Sequence, residues 1–211
     1  MNVLNTTGKH MLHSIAGVIL AGGASKRFNG IIKAKIVIDG RTIISRIIGT
    51  MNELFDEIII VTNTPDEFKE YSKCKIAGDR FLNKGPLGGI HSAMINSSCD
   101  AMFIVAGDMP LLEKDIIIKQ IEYFNHNNFD VVIPRINNFT EPLHGIYKKS
   151  LLRKLEAHLE VETDYSIRAF LKKTDISYLQ FEESENTKKA FLNINSSSDI
   201  AIVERLLDPT K

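Results

Sequence analysis

Between its first apolar run and residue 30 the chain reads Leu20-Ala21-Gly22-Gly23-Ala24-Ser25-Lys26-Arg27-Phe28-Asn29-Gly30, and Lys33 follows three residues on. Adjacent glycines let backbone N–H groups approach phosphate oxygens with no Cβ in the way. Ser25 adds a hydroxyl, and Lys26, Arg27 and Lys33 add charge able to offset a triphosphate. The GxxxxGK[ST] spacing of a Walker loop is absent, as is the GxGxxG of a dinucleotide fold. Taken alone, Gly22-Gly23 is explained by an ordinary glycine turn with solvated basic neighbours.

Three further stretches carry polar groups suited to a ligand. Gly78-Asp79 is followed by Gly85-Pro86-Leu87-Gly88-Gly89, where Pro86 fixes φ and a helix start offers unpaired N–H groups. Phe103-Ile104-Val105-Ala106-Gly107-Asp108-Met109-Pro110 is an apolar strand ending in a carboxylate. Such a carboxylate points into the crevice where Mg2+ on a phosphate sits, unless Asp108 merely caps the next turn. Phe191-Leu192-Asn193-Ile194-Asn195 puts two uncharged amides on one face, suited to a large polar ligand or to a strand end turning away. His10, His13 and His91 show no metal-binding spacing.

The elements that must hold these groups alternate. Strand-like runs fall at 15–20, 57–62, 101–106 and 130–134, with helix-like patterns at 42–54, 88–96 and 113–125 between them. This predicts a mostly parallel sheet with helices on both faces. A strand at 141–147, helices at 149–158 and 164–172, a strand at 175–181 and a helix at 198–207, capped by 196–198, complete the pattern. The charged 182–189 lacks apolar periodicity and reads as a surface loop. Residues 1–14 read as an N-terminal tail and 15–207 as one domain, with no internal repeat or linker.

Composition sets limits on function. The 211 residues are 44% hydrophobic and 25% charged, an ordinary globular balance. Lys plus Arg and Asp plus Glu both number 26, so the overall basic excess of a general nucleic-acid binder is missing. Cys74 and Cys99 are the only cysteines, too few for a four-thiolate zinc site, and a reduced, cytoplasmic protein is expected. No apolar run reaches the length of about 20 residues that a membrane span needs. Lys9 and His10 followed by the apolar 15–21 imitate a signal peptide, but the glycine turn directly after favours a buried strand.

The combination Leu-Ala-Gly-Gly-x-Ser-x-Arg-x-x-Gly with Lys33, then Asp79…Gly85-Pro86-Leu87, Gly107-Asp108-x-Pro110, Pro142-Leu143-x-x-x-Tyr147 and Asn193-x-Asn195, resembles the molybdenum cofactor guanylyltransferases. These are the MobA family of GlmU- or MobA-type nucleotidyltransferases. The resemblance spans about 15 to 207. It implies a three-layer α/β/α sandwich of the Rossmann-like (GT-A) nucleotidyltransferase fold, mostly parallel with at least one antiparallel strand. It implies GMP transfer from Mg-GTP to the terminal phosphate of metal-loaded molybdopterin, with Mg2+ as cofactor and molybdoenzymes or other cofactor-biosynthesis proteins as partners.

Residue by residue, it assigns Leu20, Ala21, Gly22, Gly23, Lys33, Asp79, Gly85, Pro86 and Leu87 to the nucleotide. Arg27, Gly30, Asn193 and Asn195 fall to the acceptor, Arg27, Lys33 and Asp108 to catalysis, and Asp108 to the metal. Three departures are visible. Ile32 precedes Lys33 where the family often has Asp, so Lys35 competes for the phosphate role. Gly88 replaces an Ala, and either Thr62 or Asn63 matches the family's Asn after the second strand. His144 invites an acid–base reading, but an anionic phosphate nucleophile needs no strong base, and a structural role is expected. A cytidylyltransferase, which would show Leu-Ala-Ala-Gly, a sugar-phosphate nucleotidyltransferase and a non-catalytic nucleotide binder are the alternatives.

Overall fold

A computed structural model describes residues 15–22 and 30–208. The expected tail, 1–14, lies outside the described residues, as do Gly23 and Arg27. Ten strands follow in chain order: β1 (Ile15–Leu20), β2 (Val37–Ile38), β3 (Arg41–Thr42), β4 (Ile58–Val61), β5 (Lys75–Ala77), β6 (Ala101–Ala106), β7 (Val131–Ile136), β8 (Phe139–Thr140), β9 (His144–Lys148) and β10 (Ile176–Phe181). The helices are α1 (Ile43–Met51), α2 (Pro86–Asn96), α3 (Lys114–His126), α4 (Leu152–Val161), α5 (Ile167–Leu171), α6 (Glu185–Ala190) and α7 (Ser197–Leu207).

The main sheet runs β10-β7-β9-β6-β1-β4-β5, with β8 paired to β7; β2 and β3 form a separate hairpin. All neighbours along that path are parallel except β9, which is antiparallel to both β6 and β7. The apolar segment that imitates a signal peptide is β1, an interior strand of the sheet between β6 and β4. Its residues alternate between two cores, as a strand's period of two requires. Ile15 and Ile19 pack with α1, α3 and α7, while Ala16 and Val18 pack with α2, α4 and α5. Each fully buried large aliphatic side chain contributes about 1.5–3 kcal/mol, and these two layers hold the strand ends in place.

Local sequence explains the helices that flank the site. Thr42 accepts the Ser45 N–H and starts α1, whose Ile43, Ile44, Ile47, Ile48 and Met51 form one buried stripe. In α2, eight consecutive residues from Leu87 to Met94 are buried, because the helix is wedged between the sheet and α4. Its start, two residues earlier than expected, places Pro86 in the first turn, where a missing N–H is harmless.

One expectation fails. The segment 182–189 is not wholly a loop, since Glu185–Ala190 forms α6. Ser184 and Thr187 close a capping box, which starts a helix that apolar periodicity alone does not reveal.

Candidate active site

The carboxyl ends of β1, β4, β5 and β6 open into a cleft of about 550 Å3. Because β9 runs against its neighbours, its beginning lies at this same end, so residues 141–143 close the cleft opposite β4 and β5. Three zones result.

The first wall follows β4 and β5. Asn63 and Asp79 bond reciprocally: the Asp79 N–H donates to Asn63 Oδ1 at 3.0 Å, and Asn63 Nδ2 donates to Asp79 Oδ2 at 3.1 Å. Burial pushes the Asp79 carboxyl up, while the bond from Asn63 and the nearby His91 oppose that rise. Ser92 Oγ donates to the Gly78 carbonyl at 2.7 Å and ties this loop to α2. Gly85 and Pro86, at the start of α2, face the cleft, so the positive end of the helix dipole is turned toward it. The loop lies so close to α2 that a Cβ at Gly88 would stand 2.7 Å from the Phe81 carbonyl oxygen. Gly88 is therefore required by this loop path.

The centre lies between β1 and β6. Leu20, Ala21 and Gly22 line it, and the Gly107 N–H donates to the Leu20 carbonyl at 2.9 Å. A Cβ at Gly107 would sit 3.0 Å from that carbonyl oxygen and 3.1 Å from the Ala21 Cα. Absence of a side chain there lets the end of β6, and with it Asp108, lie close to Leu20 and Ala21 at the end of β1. Lys33 Nζ donates to Asp108 Oδ2 at 2.9 Å and to Asn195 Oδ1 at 2.8 Å. Both partners of the ion pair are only about a fifth exposed, so it is less screened than a surface pair.

The far wall comprises Glu141, Leu143, Asn193 and Asn195. The Ile194 N–H donates to the Asp108 carbonyl at 2.9 Å, which stitches the Asn-x-Asn segment to the end of β6. Asp199, in the first turn of α7, accepts the N–H groups of Asn195 and Ser196, both at 2.8 Å. The bond from Asn195 is the main cause of its lowered carboxyl pKa, and burial opposes it. Asn193 Nδ2 donates to Glu141 Oε2 at 3.3 Å, and the Leu143 N–H donates to Glu141 Oε1 at 3.1 Å. Burial pushes the Glu141 carboxyl up; these two bonds oppose the rise, and the charge of Asp108 adds to it.

Of the residues singled out in the sequence, Leu20, Ala21, Gly22, Lys33, Asp79, Gly85, Pro86, Asp108, Asn193 and Asn195 line one cleft. Leu87 does not, since its side chain is fully buried in the core under α2. Gly30 is exposed, with φ of 81°, and is not among the lining residues. Lys35 points away, to Glu70 and the Glu67 carbonyl, whereas Lys33 faces the cleft. Asn63 lines the cleft, while Thr62 is buried and bonds Thr64.

His144 lies on the opposite face of β9 from Leu143, edge-on to Phe103 and Phe191, with Nδ1 held by Gln120 at 2.9 Å. Burial lowers its pKa to about 4, which fits a neutral structural residue. Sequence reasoning missed Glu141 as a lining residue. Its only signal was the charge directly before the Pro142-Leu143 pair.

Hard oxygen donors at the cleft's centre suit a divalent cation. Mg2+ takes one or two carboxylates, phosphate oxygens and water, and Asp108 supplies one such carboxylate. No group of three or more His, Cys, Asp or Glu able to hold a metal exists among the described residues. The donor set thus fits a cation that arrives with a phosphate ligand.

Comparison with known proteins agrees with this geometry. Residues 17–178 match the model of the MobA-like NTP transferase domain. The chain is 30% identical to a probable molybdenum cofactor guanylyltransferase of Natranaerobius thermophilus, covering 95% of this chain and all of that protein. It is 33% identical to the molybdenum cofactor guanylyltransferase of Desulfosudis oleivorans over 92% of this chain and 96% of the relative. The crystal structure of molybdopterin-guanine dinucleotide biosynthesis protein A from Archaeoglobus fulgidus superposes with a TM-score of 0.78. It is 20% identical and covers 92% of this chain and 99% of that one. A CMP:2-keto-3-deoxy-manno-octonic acid synthetase structure, 12% identical, shares the fold with a TM-score of 0.71 over 94% of this chain and all of the other.

Proposed function

The chain belongs to the MobA-like NTP transferase family and is a nucleotidyltransferase, and from that premise we propose that it transfers GMP from Mg-GTP to molybdopterin. The observation that carries this reading is the meeting of Lys33, Asp108 and Asn195 between two dissimilar walls of one cleft. In this reading the guanine and ribose lie along Asp79, Gly85 and Pro86. The triphosphate lies over Gly22 and Lys33, and the acceptor lies along Asn193 and Asn195. Residues 15–207 act as one catalytic unit in the cytoplasm.

The terminal phosphate of molybdopterin attacks the α-phosphorus. A bond forms from that phosphate oxygen, the bond to the β-phosphate oxygen breaks, and pyrophosphate leaves with the electron pair. No protein nucleophile takes part. Lys33, pulled between Asp108 and Asn195, is positioned to offset charge on the incoming and transferred phosphates. Arg27 adds a second cation in this reading. Asp108 would hold Mg2+, which when bound offsets phosphate charge and favours the leaving group. The backbone N–H groups of Gly22 and Gly23 cradle the phosphates in this reading.

Calorimetric titration with GTP, CTP, ATP and UTP, each with Mg2+, tests the reading. Selective binding of GTP is expected. A preference for CTP would keep the chemistry and overturn the choice of base, and binding without pyrophosphate release on adding molybdopterin would leave only a carrier.

A further inference from the structure

We propose that Glu141 is a specificity residue for the acceptor ring. Its carboxylate would accept paired hydrogen bonds from the ring N–H and exocyclic amino group of a 2-amino-4-oxo fused pyrimidine, the head of a pterin. The inference rests on the acceptor lying along the far wall, as set out above.

Four observations carry it. Glu141 lines the cleft on the wall it shares with Asn193. Each of its oxygens already takes one donor, the Leu143 N–H on Oε1 and Asn193 Nδ2 on Oε2. A carboxylate has about four lone-pair sites, so each oxygen keeps one for a ligand, in the side-by-side geometry that a planar donor pair matches. Its position is braced: Tyr147 Oη donates to the Pro142 carbonyl at 2.8 Å, and the Glu141 N–H reaches the Pro134 carbonyl at 3.4 Å.

The charge around it points the same way. No cation pairs with Glu141 among the described residues, and the nearby carboxylate of Asp108 adds negative potential. A phosphate or carboxylate beside Glu141 would meet repulsion, so the group that docks at that position must bring donors. Leu143 beside it supplies apolar surface for a flat ring.

Guanine carries the same donor pair, so the experiment separates the two rings. Fluorescence titration of the full chain uses 6-hydroxymethylpterin phosphate and the matching lumazine phosphate, which has oxygen in place of the amino group. Calorimetry uses Mg-GTP and Mg-ITP, which differ by the same amino group. The wild type should bind the pterin about tenfold or more tightly than the lumazine, the range of a charge-assisted hydrogen bond. Glu141→Gln should bring that ratio within about twofold and leave the GTP to ITP ratio unchanged.

A wild-type pterin to lumazine ratio near one, or no pterin binding, overturns the proposal even if the variant does not fold. A variant that keeps the wild-type ratio overturns it as well, and so does one that changes only the GTP to ITP ratio. Loss of GTP selectivity over CTP with the pterin preference intact would instead sink guanylyl transfer and leave this subsite standing.

Discussion

Two glutamates mark the opposite ends of the sheet. Glu57, just before β4 at the amino ends of the parallel strands, accepts from Lys75, from Ser97 and Ser98, and from the Cys99 thiol. Burial works to raise its pKa, but those donors together hold the carboxyl at about 2. Glu141, at the other end, has two donors, and burial pushes its carboxyl up. Asp79 across the cleft shifts in the same direction for the same first reason. The closed end satisfies its carboxylate from within the chain. The open end leaves carboxylates short of donors, as a surface built to receive a ligand does.

The comparison breaks first at Asp108. Asp108→Ala should lower GMP transfer by more than about a hundredfold, the cost of removing a group that stabilises charge at the reacting phosphates, while circular dichroism stays native. Normal turnover would remove Asp108 from the machinery. Glu57→Ala should do the reverse. It strands several donors, so urea unfolding should show a loss of about 2–3 kcal/mol with turnover retained.

Acid sharpens the contrast. His144, with a folded pKa near 4 against an ordinary 6.5, disfavours the folded state as pH falls from 6.5 toward 4. Glu57, with its carboxyl held at about 2 against 4.5, gives stability that is present above 4.5 and lost as pH falls toward 2. Asp79 and Glu141 have raised pKa values, so the folded state keeps their protons longer and they add nothing to acid unfolding. Glu57→Gln should therefore flatten the lower part of the stability profile measured by urea titration between pH 6.5 and 2. An unchanged slope below pH 4.5 would mean the Glu57 network is not what acid dismantles.

Smaller effects should divide the two walls. Asn195→Ala should raise the KM for molybdopterin about fivefold with the KM for GTP within about twofold, since one hydrogen bond to a charged group is lost. An effect on GTP alone would mean the two substrates are placed the wrong way round. Gly88→Ala should be the mildest change. The added Cβ must displace the Phe81 carbonyl, which is backbone, so the melting temperature should fall by a few degrees despite the better helix propensity, about 1 kcal/mol, of Ala. The displaced loop should raise the KM for GTP about two- to threefold, and a change in acceptor KM instead would misplace the base.

Local chemistry was legible in the sequence where one segment carried it. The apolar runs of β1 and β6 and Asp108 at a strand's end could all be read directly. So could the proline-led start of α2, two residues late. Pairings across long separations could not. Lys33 meets Asn195 across 162 positions, and only the fold shows that Lys33, not Lys35, faces the cleft. The insertion of β9 between β6 and β7 was equally hidden, because antiparallel and parallel buried strands share one apolar pattern. Without that placement Glu141 reads only as the first residue of the strand expected at 141–147. α6 was missed because its start signal is a hydroxyl pair in a charged stretch.

The reversal of β9 divides labour along the gene. Nucleotide and phosphate contacts in this reading come from codons 20–108, while the acceptor wall comes from 141–195. In this reading, substitutions at 141–143 and 193 can change which phosphate is accepted, whereas Asn195 must stay because it holds Lys33. A library limited to residues 139–143 and 193 is thus the place to select new acceptors.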